Sequence, residues 1–479
     1  MNPQFDPNQL QKLPSEQLIS LIVQQQQIIE QLQQEVERLK AKLQLDSQTS
    51  SKPPSTDLLK KPEKPVAAED KTTQKRRKPG GQPGHPGSTR KGFGRVDRYE
   101  LLKPQQCQQC GCNEFLEFPV EVQRQQVAQL VARPIEVVEY QRHTCKCTQC
   151  GQLQTAAWPK GIVPGQDLSV GLQSLLVWLG NYGHLSYEKQ QELLRELGDI
   201  DIGVGTLAST NARMAEVVKG SVDQLRVWVK LQPQVQVDES PWPVLGLKEW
   251  LWLTAGQKFC LFHAGDTRSR TELVEQLGES FDGVISSDDY SVYNGYKAKA
   301  QQKCLAHLRR HFKKVLKLNY GNNPALGQAF IDLIDEAFAQ HKKWRETQDY
   351  SAYQTWAVGF KLRVALSIQQ WLTLAGYEAG KLLRSLRDKA EQWWYFLDHP
   401  QVPPDNNLAE RELRLAVTKR KVSGGSRSMK RFQETADLLS VVQTCRRQQR
   451  SVLEFFQAAM IAHSHGGESS PSLLPEPIP

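Results

Sequence analysis

The chain has 479 residues, enough for several domains, and its 61 Lys and Arg outnumber its 52 Asp and Glu, for a net charge of +9. That moderate basic excess suits a polyanionic partner such as nucleic acid. No run approaches the roughly 20 apolar residues of a membrane span, and the opening "MNPQFDPNQL" lacks the pattern of a secretory signal. We therefore expect a cytoplasmic protein with no membrane partner.

The N-terminal residues 1–45 carry a heptad pattern, with mostly β-branched residues at one core position and Leu at the other. This pattern predicts a parallel two-stranded coiled coil, and therefore a homodimer, although a single amphipathic helix docked on the same chain would look similar. The next segment, residues 46–96, is rich in Pro, Gly, Ser and Lys and predicts a flexible basic linker. The core positions are Leu18, Ile22, Ile29, Leu32, Val36, Leu39 and Leu43.

Six of the nine cysteines lie between residues 107 and 150. In a chain expected in the cytosol, clustered thiols bind metal more often than they form disulfides. Two CxxC pairs, each able to supply two thiolates from one turn, predict a tetrahedral structural Zn²⁺ site in a zinc ribbon at residues 97–160; unligated thiols are the alternative. The predicted ligands are Cys107, Cys110, Cys147 and Cys150, with Cys112 and Cys145 as spare candidates.

Residues 161–225 predict a helical domain in which the short turn "DIDIG" joins two helices. This arrangement is typical of a helix-turn-helix, whose second helix meets base edges in DNA. A compact helical linker domain would give the same pattern. The predicted DNA contacts are Thr206, Asn211 and Arg213, with Ser209 and Thr210 beside them.

From Val235 the pattern changes to short β-rich runs, "VQVDES", "EWLWLTA" and "KFCLFHA", then the helix "SRTELVEQLGE" and the strand "GVISSD". A fifth strand is predicted at residues 303–306. A mixed sheet in this order brings the first and fourth strands side by side. The remaining predicted parts are a catalytic domain at 230–432 with a helical insertion at about 313–400, C-terminal helices at 433–465 and a disordered tail at 466–479.

Acidic residues end two of these strands and recur in a late helix. Asp238 ends the first strand, while Asp288 and Asp289 end the fourth; because neighbouring strand residues point to opposite faces, only one of the latter can join Asp238. In "PPDNNLAERELR", Glu410 and Glu412 lie about 200° apart around the helix, so only one can enter a given pocket. Glu410 lies at the margin of the apolar stripe and Glu412 on its other flank, so helix geometry alone leaves both as candidates.

Three converging carboxylates suit two Mg²⁺ or Mn²⁺ ions that activate an attacking oxygen and stabilise a leaving oxygen in phosphoryl transfer. Solvated acidic residues at strand ends and on helices are the alternative interpretation. Three roles are open for His307: contact with a phosphate, support of the metal site, or a packing or capping role without chemistry. For Arg411 and Arg414, pairing with glutamates of their own helix is the alternative to a phosphate contact. The basic residues predicted to neutralise DNA phosphates are Arg309, Arg310, Arg411, Arg414, Lys419, Arg420 and Lys421.

Several of these motifs occur together in one order: "KPGGQPGHPGSTR", the cysteine pairs, "HLSYEKQQELLRELGDIDIGVGTL", "VDES", "GVISSDDYSVYNGY", "KCLAHLRRHF" and "DNNLAERELRLAVTKRKVSGGSRS". In this order they resemble the transposases of the bacterial insertion-sequence-66 family, of the DDE class. The resemblance implies a multidomain α/β protein with a ribonuclease H-like mixed sheet and a helical insertion, preceded by coiled coil, zinc ribbon and helix-turn-helix.

The resemblance also implies a DDE site at Asp238, Asp288 and Glu410, two Mg²⁺ or Mn²⁺ ions, and Zn²⁺ on the four cysteines. We therefore predict that Glu410 is the third metal ligand and that Glu412 is surface. At residue 289 this chain has Asp where the family often has Gly or an aromatic residue, so Asp289 stays an alternative ligand. The implied reaction cleaves the ends of a mobile element with water and joins the freed 3′-hydroxyl to target DNA. The partners are double-stranded DNA, further copies of the chain and accessory proteins of the element. A catalytically silent dimeric DNA-binding regulator and a nuclease that does not join strands are the alternatives.

Overall fold

The computed structural model describes residues 134–159, 165–318, 321–465 and 470–475, residue 162, and scattered residues between 14 and 131. It divides into two compact units, of which one comprises residues 62–140 and 195–199 and the other the rest of the chain. Residues 23–28 are helical and exposed. The predicted heptad core positions and Cys107 lie outside the described residues, so the coiled coil, the dimer and the four-cysteine site stay predictions.

A small hairpin carries the second cysteine pair. Strand β1 (Thr144–Lys146) pairs antiparallel with β2 (Leu153–Thr155). In the turn between them, the Gly151 N–H donates to the Cys147 carbonyl at 2.9 Å, and Gly151 has a φ of +73°, which glycine adopts without steric cost. The turn therefore holds Cys147 and Cys150 close together, with both thiols exposed.

Three helices precede the main sheet: α1 (Val170–Asn181), α2 (Tyr187–Gly198) and α3 (Val204–Val229). The C-terminal half of α3 buries Val218, Val222, Leu225 and Val229, whose spacing places them on one helical face. These side chains belong to the same hydrophobic core as the sheet. The C-terminal half of α3 therefore packs in the core, while its residues predicted to contact DNA lie in the N-terminal half.

The described residues form a five-stranded mixed sheet in the order β5-β4-β3-β6-β7. Strands β3, β4 and β5 are antiparallel neighbours, whereas β6 runs parallel to β3 and β7 parallel to β6. This order confirms that the first and fourth predicted strands are neighbours. The strands and the helix between β5 and β6 are β3 (Gln234–Val244), β4 (Leu247–Gly256), β5 (Phe259–Gly265), α4 (Arg270–Leu277), β6 (Ser280–Ser287) and β7 (Lys297–Lys303).

The fifth strand was placed wrongly from the sequence. It ends at Lys303, where the prediction began it, and helix α5 (Leu305–Lys317) starts two residues later. The strand sequence "KAKAQQK" has no large apolar side chain, which hides it from a hydrophobicity pattern. Leu305, Leu308 and Phe312 are buried at helical spacing, which explains why this segment is a helix.

Further helices lie between α5 and the helix that carries Glu410, and they have a hydrophobic core of their own, which includes Phe330, Phe360 and Phe396. They are α6 (Asn323–Thr347), α7 (Tyr350–Leu372), α8 (Tyr377–Asp388), α9 (Ala390–Trp393) and α10 (Tyr395–Asp398). The chain then forms α11 (Asn407–Ser423), α12 (Met429–Arg447) and α13 (Val452–His465). None of the described helices is both long and apolar enough to cross a bilayer.

Each face of the sheet packs against helices. Val235, Val237 and Ile285 contribute to the core shared with α1, α3 and α13, while Trp242 and Leu253 contribute to the core shared with α11 and α12. Helix α12 also covers the outer strand β5. Its Ser440 hydroxyl accepts from the Phe262 N–H at 2.8 Å, and its Thr444 hydroxyl bonds both backbone groups of Cys260. These bonds satisfy backbone groups that an edge strand otherwise leaves unpaired.

The structure differs from the predicted disordered tail at residues 470–475. Leu473 is fully buried in the core of α3, α13 and the sheet, and the Ser221 hydroxyl donates to the Pro471 carbonyl at 2.7 Å. The sequence signal was weak because one buried Leu between prolines has no periodicity to reveal it.

We expect Leu473→Ala to lower the free energy of unfolding by about 2–4 kcal/mol, because it removes buried methyl groups and leaves a cavity. Ile461→Ala on α13, where the side chain is 42% exposed, is the matched control and should change it by less than about 0.5 kcal/mol. Denaturant unfolding followed by fluorescence measures both. Equal effects of the two variants would contradict the packed tail.

Candidate active site

The pairing of β3 with β6 places two of the predicted carboxylates at one level of the sheet. The last paired residues of this parallel ladder are Gln236 and Ser286, and Asp238 and Asp288 each lie two residues further along the chain. Asp288 directly follows β6, as predicted. Asp238 does not end its strand as predicted, because the residues after it stay paired with β4 as far as Val244. Because side chains alternate across a strand, both aspartates follow the face of Gln236 and Ser286, opposite to buried Val237 and Ile285. Asp289 has the other parity.

Helix α11 is attached to the same end of β3. The Gln236 side-chain oxygen accepts from the backbone N–H groups of Leu408 and Ala409 at 3.1 and 3.3 Å, and the Asn406 side-chain amide donates to the Val237 carbonyl at 2.7 Å. The first turn of a helix has unpaired N–H groups, and here a strand residue satisfies two of them. Glu410, one turn into α11, is thereby held beside Asp238.

Electrostatics identifies the groups that surround Asp238. Burial, followed by the charges of Glu239, Asp288 and Glu410, raises the pKa of Asp238 well above its usual range. Asp288 and Glu410 are therefore among the charges that act on Asp238, and the repulsion between these carboxylates would be offset by a cation among them.

Glu410 is held by residues of α5. Its Oε1 lies 2.6 Å from Arg310 Nη2 and 3.3 Å from His307 Nδ1. Burial and the charge of Arg310 lower the pKa of His307 to about 4, so the imidazole is neutral at physiological pH. Cys304, His307 and Glu410 offer ligand atoms within 4.8 Å of one another. However, burial raises the pKa of Cys304 to about 12, and its sulfur accepts from the Asn406 N–H, so it contributes a neutral thiol.

Asp289 points to a different set of partners. Its carboxylate accepts from Lys389 Nζ at 2.7 Å and from the Ser385 hydroxyl at 2.9 Å, and Lys303 Nζ lies 3.9 Å away. The Lys303 side chain is fully buried. Asp289 therefore neutralises lysines between the sheet and the helical insertion, whereas Asp288 lies near Asp238.

Glu412 differs from the surface residue that was predicted. Its side chain is 14% exposed, and it accepts from Gln443 Nε2 at 2.7 Å and from Arg447 at 3.2 Å. The angular argument separated the two glutamates correctly, but the sequence alone does not reveal that α12 packs on this flank of α11. Glu412 connects these two helices.

Two contributors at this end of the sheet escaped the sequence analysis. Gln236 caps α11, although a polar residue within a strand carries no signal of a capping role. Glu239 has a side chain that is only 1% exposed and accepts from Arg268 and from the Tyr293 hydroxyl. Glu239 directly follows Asp238 in the sequence. Because a buried charge requires a partner, its position in an apolar strand could have indicated a nearby cation.

A second group of possible ligands lies on another part of the chain. His263 Nε2 lies 2.8 Å from Glu272 and 3.5 Å from Glu275. Burial acts to raise the pKa of Glu272, but hydrogen bonds from His263 and Thr267 outweigh it and lower this pKa to about 2. These bonds join the first turn of α4 to β5 and to the loop before the helix.

Comparison with known proteins identifies the family. Residues 166–433 match the model described as "Transposase IS66 family". The chain belongs to this family. Residues 6–91 match a family of unknown function, DUF6444. An uncharacterized protein, y4jD, of Sinorhizobium fredii (strain NBRC 101917 / NGR234) is 25% identical over 314 residues, which cover 59% of this chain and 60% of that relative.

In this IS66-family chain, the predicted DNA contacts near the site have varied surroundings. Arg411, Arg414 and Lys421 are exposed. Arg309 pairs with Asp335 at 2.6 Å, and Arg420 donates to the Ser240 hydroxyl at 2.9 Å. On α3, Thr206 and Arg213 are exposed, whereas the Asn211 side chain accepts from Asn181 at 2.9 Å. A DNA-binding role for each of these residues stays a prediction.

Lys419 is the most enclosed of the predicted contacts. Its Nζ donates to the Gly180 carbonyl at 2.9 Å, and burial lowers the pKa of Lys419 to about 8. Between about pH 8 and about pH 10.5, Lys419 is mostly deprotonated in the folded chain but still protonated in the unfolded chain. Because the unfolded state then binds more protons, the free energy of unfolding should rise with pH in that window. We expect Lys419→Met to remove part of that rise when thermal unfolding midpoints are compared at about pH 7 and about pH 10. An identical rise in both proteins would contradict this assignment.

The turn between β1 and β2 affects the chemistry of its cysteines. Backbone N–H groups of Cys150 and Gln149 lower the pKa of Cys147, which favours the thiolate form that binds metal. Cys110, Cys112 and Cys145 are also exposed.

Proposed function

We propose that the chain is a DDE transposase that cleaves the ends of an insertion sequence and joins them to target DNA in a reaction that depends on Mg²⁺ or Mn²⁺. The main support is that Asp288, after β6, and Glu410, on α11, both act electrostatically on Asp238 of β3 in a member of a transposase family. The chain spans 60% of the length of its curated relative, which carries no assigned activity.

The proposal includes a ribonuclease H-like catalytic domain. An antiparallel β3–β4–β5 unit followed by parallel β6 and β7 supports this assignment, together with a helical insertion between β7 and α11. Asp238 then lies within β3 just past its pairing with β6, Asp288 directly follows β6, and the glutamate lies on a helix that packs on the sheet. This arrangement lets long insertions vary while the site is kept rigid.

The residues fit the divalent ions that the family implies. Asp238, Asp288 and Glu410 would supply hard carboxylate oxygens, which Mg²⁺ and Mn²⁺ prefer, and Glu410 also lies in a group of possible ligands with neutral His307. When bound, such ions lower the pKa of water and stabilise charge on the oxygens of the phosphoryl group. Arg310 orients the Glu410 carboxylate, and Gln236 fixes the start of α11 against β3. The chain's role is therefore to hold three acids at fixed positions.

The family function also implies a protein that holds two DNA ends. We infer a homodimer through the coiled coil of residues 1–45 and a structural Zn²⁺ on Cys107, Cys110, Cys147 and Cys150. The thiolate-favouring turn of Cys147 and Cys150 supports the zinc assignment. Accessory proteins of the element are further proposed partners.

The test is a cleavage and joining assay on a labelled duplex that carries the inverted repeats flanking the gene, with any accessory proteins of the element present. We expect nicks at the element ends and joined products that require Mn²⁺ or Mg²⁺. Binding without any cleavage would favour the silent regulator, and cleavage without joined products would favour a simple nuclease.

A further inference from the structure

Arg268, in the loop between β5 and α4, is held next to the carboxylate site by an unusual set of contacts. Its Nη2 lies 2.5 Å from Glu239 Oε1, and its Nε donates to the same oxygen at 2.7 Å. Its guanidinium carbon also lies 4.6 Å from the ring centre of Trp250 and 3.7 Å from that of Tyr290. Cation–π contacts and a carboxylate thus hold one cation in one orientation.

The burial of this pair is asymmetric. The Glu239 side chain is 1% exposed, whereas the Arg268 side chain is 32% exposed. Glu239 also accepts from the Tyr293 hydroxyl, so both of its oxygens are satisfied inside the protein. Among the described residues, no acceptor bonds Nη1 of Arg268. The Nε and Nη2 edge of the guanidinium thus neutralises Glu239, and the edge that carries Nη1 can bind a ligand.

Arg268 lies within electrostatic range of Asp288, one of the proposed metal-binding carboxylates. Burial acts to lower the pKa of Arg268, but Glu239 and, more weakly, Tyr290 and Asp288 raise it, so the side chain stays charged near Asp288. Lys248 adds a second cation 4.7 Å from the ring of Trp250. A phosphate that nears Asp238, Asp288 and Glu410 is repelled by their charges unless cations offset them.

We propose that Arg268 contacts a backbone phosphate of the bound DNA strand next to the carboxylate site, and that Glu239, Trp250 and Tyr290 are positioning residues for this contact. The planar fork of arginine matches the oxygens of a phosphate, which a lysine at the same place does not reproduce. This inference rests on the proposed function, because it assigns the DNA strand to the same site.

The test measures binding of the full-length chain to the element-end duplex at several salt concentrations, in Ca²⁺. Each phosphate contact contributes about 0.9 to the slope of log K against log salt. We expect Arg268→Gln to reduce the magnitude of the slope by about 1, and Arg268→Lys to retain it. Arg363→Gln is the matched control, because Arg363 also pairs with a glutamate, Glu336, and lies 5.7 Å from an aromatic ring centre, but on the helical insertion.

Loss of Arg268 alone leaves Glu239 buried without its cation and can unfold the protein. The double variant Glu239→Gln/Arg268→Gln removes both charges and keeps the test valid, and it should show the same reduced slope. Replacing single phosphates by methylphosphonates should identify one position at which Arg268→Gln causes no further loss of binding. An unchanged slope in the double variant, or equal losses at every phosphate, would overturn the contact.

The outcomes separate this inference from the proposed function. If the wild type cleaves the element end but the slope is insensitive to Arg268, only the phosphate contact fails. If the slope and methylphosphonate results appear as expected but the wild type never cleaves, the contact stands and the transposase proposal fails. A wild-type chain that does not bind DNA overturns both.

Discussion

Glu410→Gln is expected to reduce cleavage of an element end by on the order of a thousandfold, because a metal ligand contributes several kcal/mol of charge stabilisation in the transition state. The substitution is isosteric and can keep a hydrogen bond to Arg310, which lies 2.6 Å from Glu410 Oε1. We therefore expect nearly unchanged stability and DNA binding. Single-turnover cleavage at saturating protein measures the effect.

Glu412→Gln is the matched control on the same helix. It weakens the contact with Arg447, 3.2 Å away, and should lower the free energy of unfolding by about 1 kcal/mol while cleavage stays within about threefold of wild type. If Glu412→Gln instead abolishes cleavage and Glu410→Gln does not, the assignment on α11 is reversed.

Asp288→Asn and Asp289→Asn should affect different properties although the residues are adjacent: the first should reduce cleavage, and the second should reduce stability. Asp288→Asn removes a carboxylate whose charge helps to raise the pKa of Asp238, so cleavage should fall on the order of a thousandfold. The folded state loses a repulsion and should be as stable as the wild type or more so. Thermal unfolding and single-turnover cleavage on the same preparations give both quantities.

Asp289→Asn should mainly affect stability. It removes the carboxylate that faces Lys389 at 2.7 Å and fully buried Lys303 at 3.9 Å. We expect a loss of about 2–3 kcal/mol, limited because Lys303 can release its proton. Burial already lowers the pKa of Lys303 to about 8. Cleavage well below the unfolding temperature should stay within about tenfold of wild type, and a complete loss of cleavage there would make Asp289 the ligand.

The sequence predicted that the first and fourth strands are neighbours, and the apolar runs "VQVDES" and "GVISSD" that mark them contain buried Val235, Val237 and Ile285. It did not reveal that the first strand continues past Asp238 to Val244. Helix periodicity separated Glu410 from Glu412. The comparison with the IS66 transposase family confirms the resemblance on which the site assignment relied.

Contacts between elements distant in the sequence were not predictable in this way. The pairing of Glu412 with Gln443 and Arg447, the cap that Gln236 provides to α11, and the pairing of Glu239 with Arg268 join residues that no local pattern connects. The strand at residues 297–303 was misplaced because its polar sequence has no strand pattern of its own, and it is extended because it pairs with the neighbouring β6. Leu473 was missed for a similar reason, because its burial depends on α3 and α13.

The central claim is that Asp238, Asp288 and Glu410 form one divalent-metal site, and mapping with Fe²⁺ tests it most directly. Fe²⁺ stands next to Mn²⁺ in the affinity series of divalent metals and can replace it at carboxylate ligands. In the presence of peroxide and ascorbate, bound Fe²⁺ cleaves the polypeptide backbone close to it. We predict cuts close to residues 238, 288 and 410 that excess Mg²⁺ suppresses and Asp238→Asn abolishes together. Cuts confined to His263, Glu272 and Glu275, or cuts near residue 238 that Asp238→Asn leaves unchanged, would contradict the account.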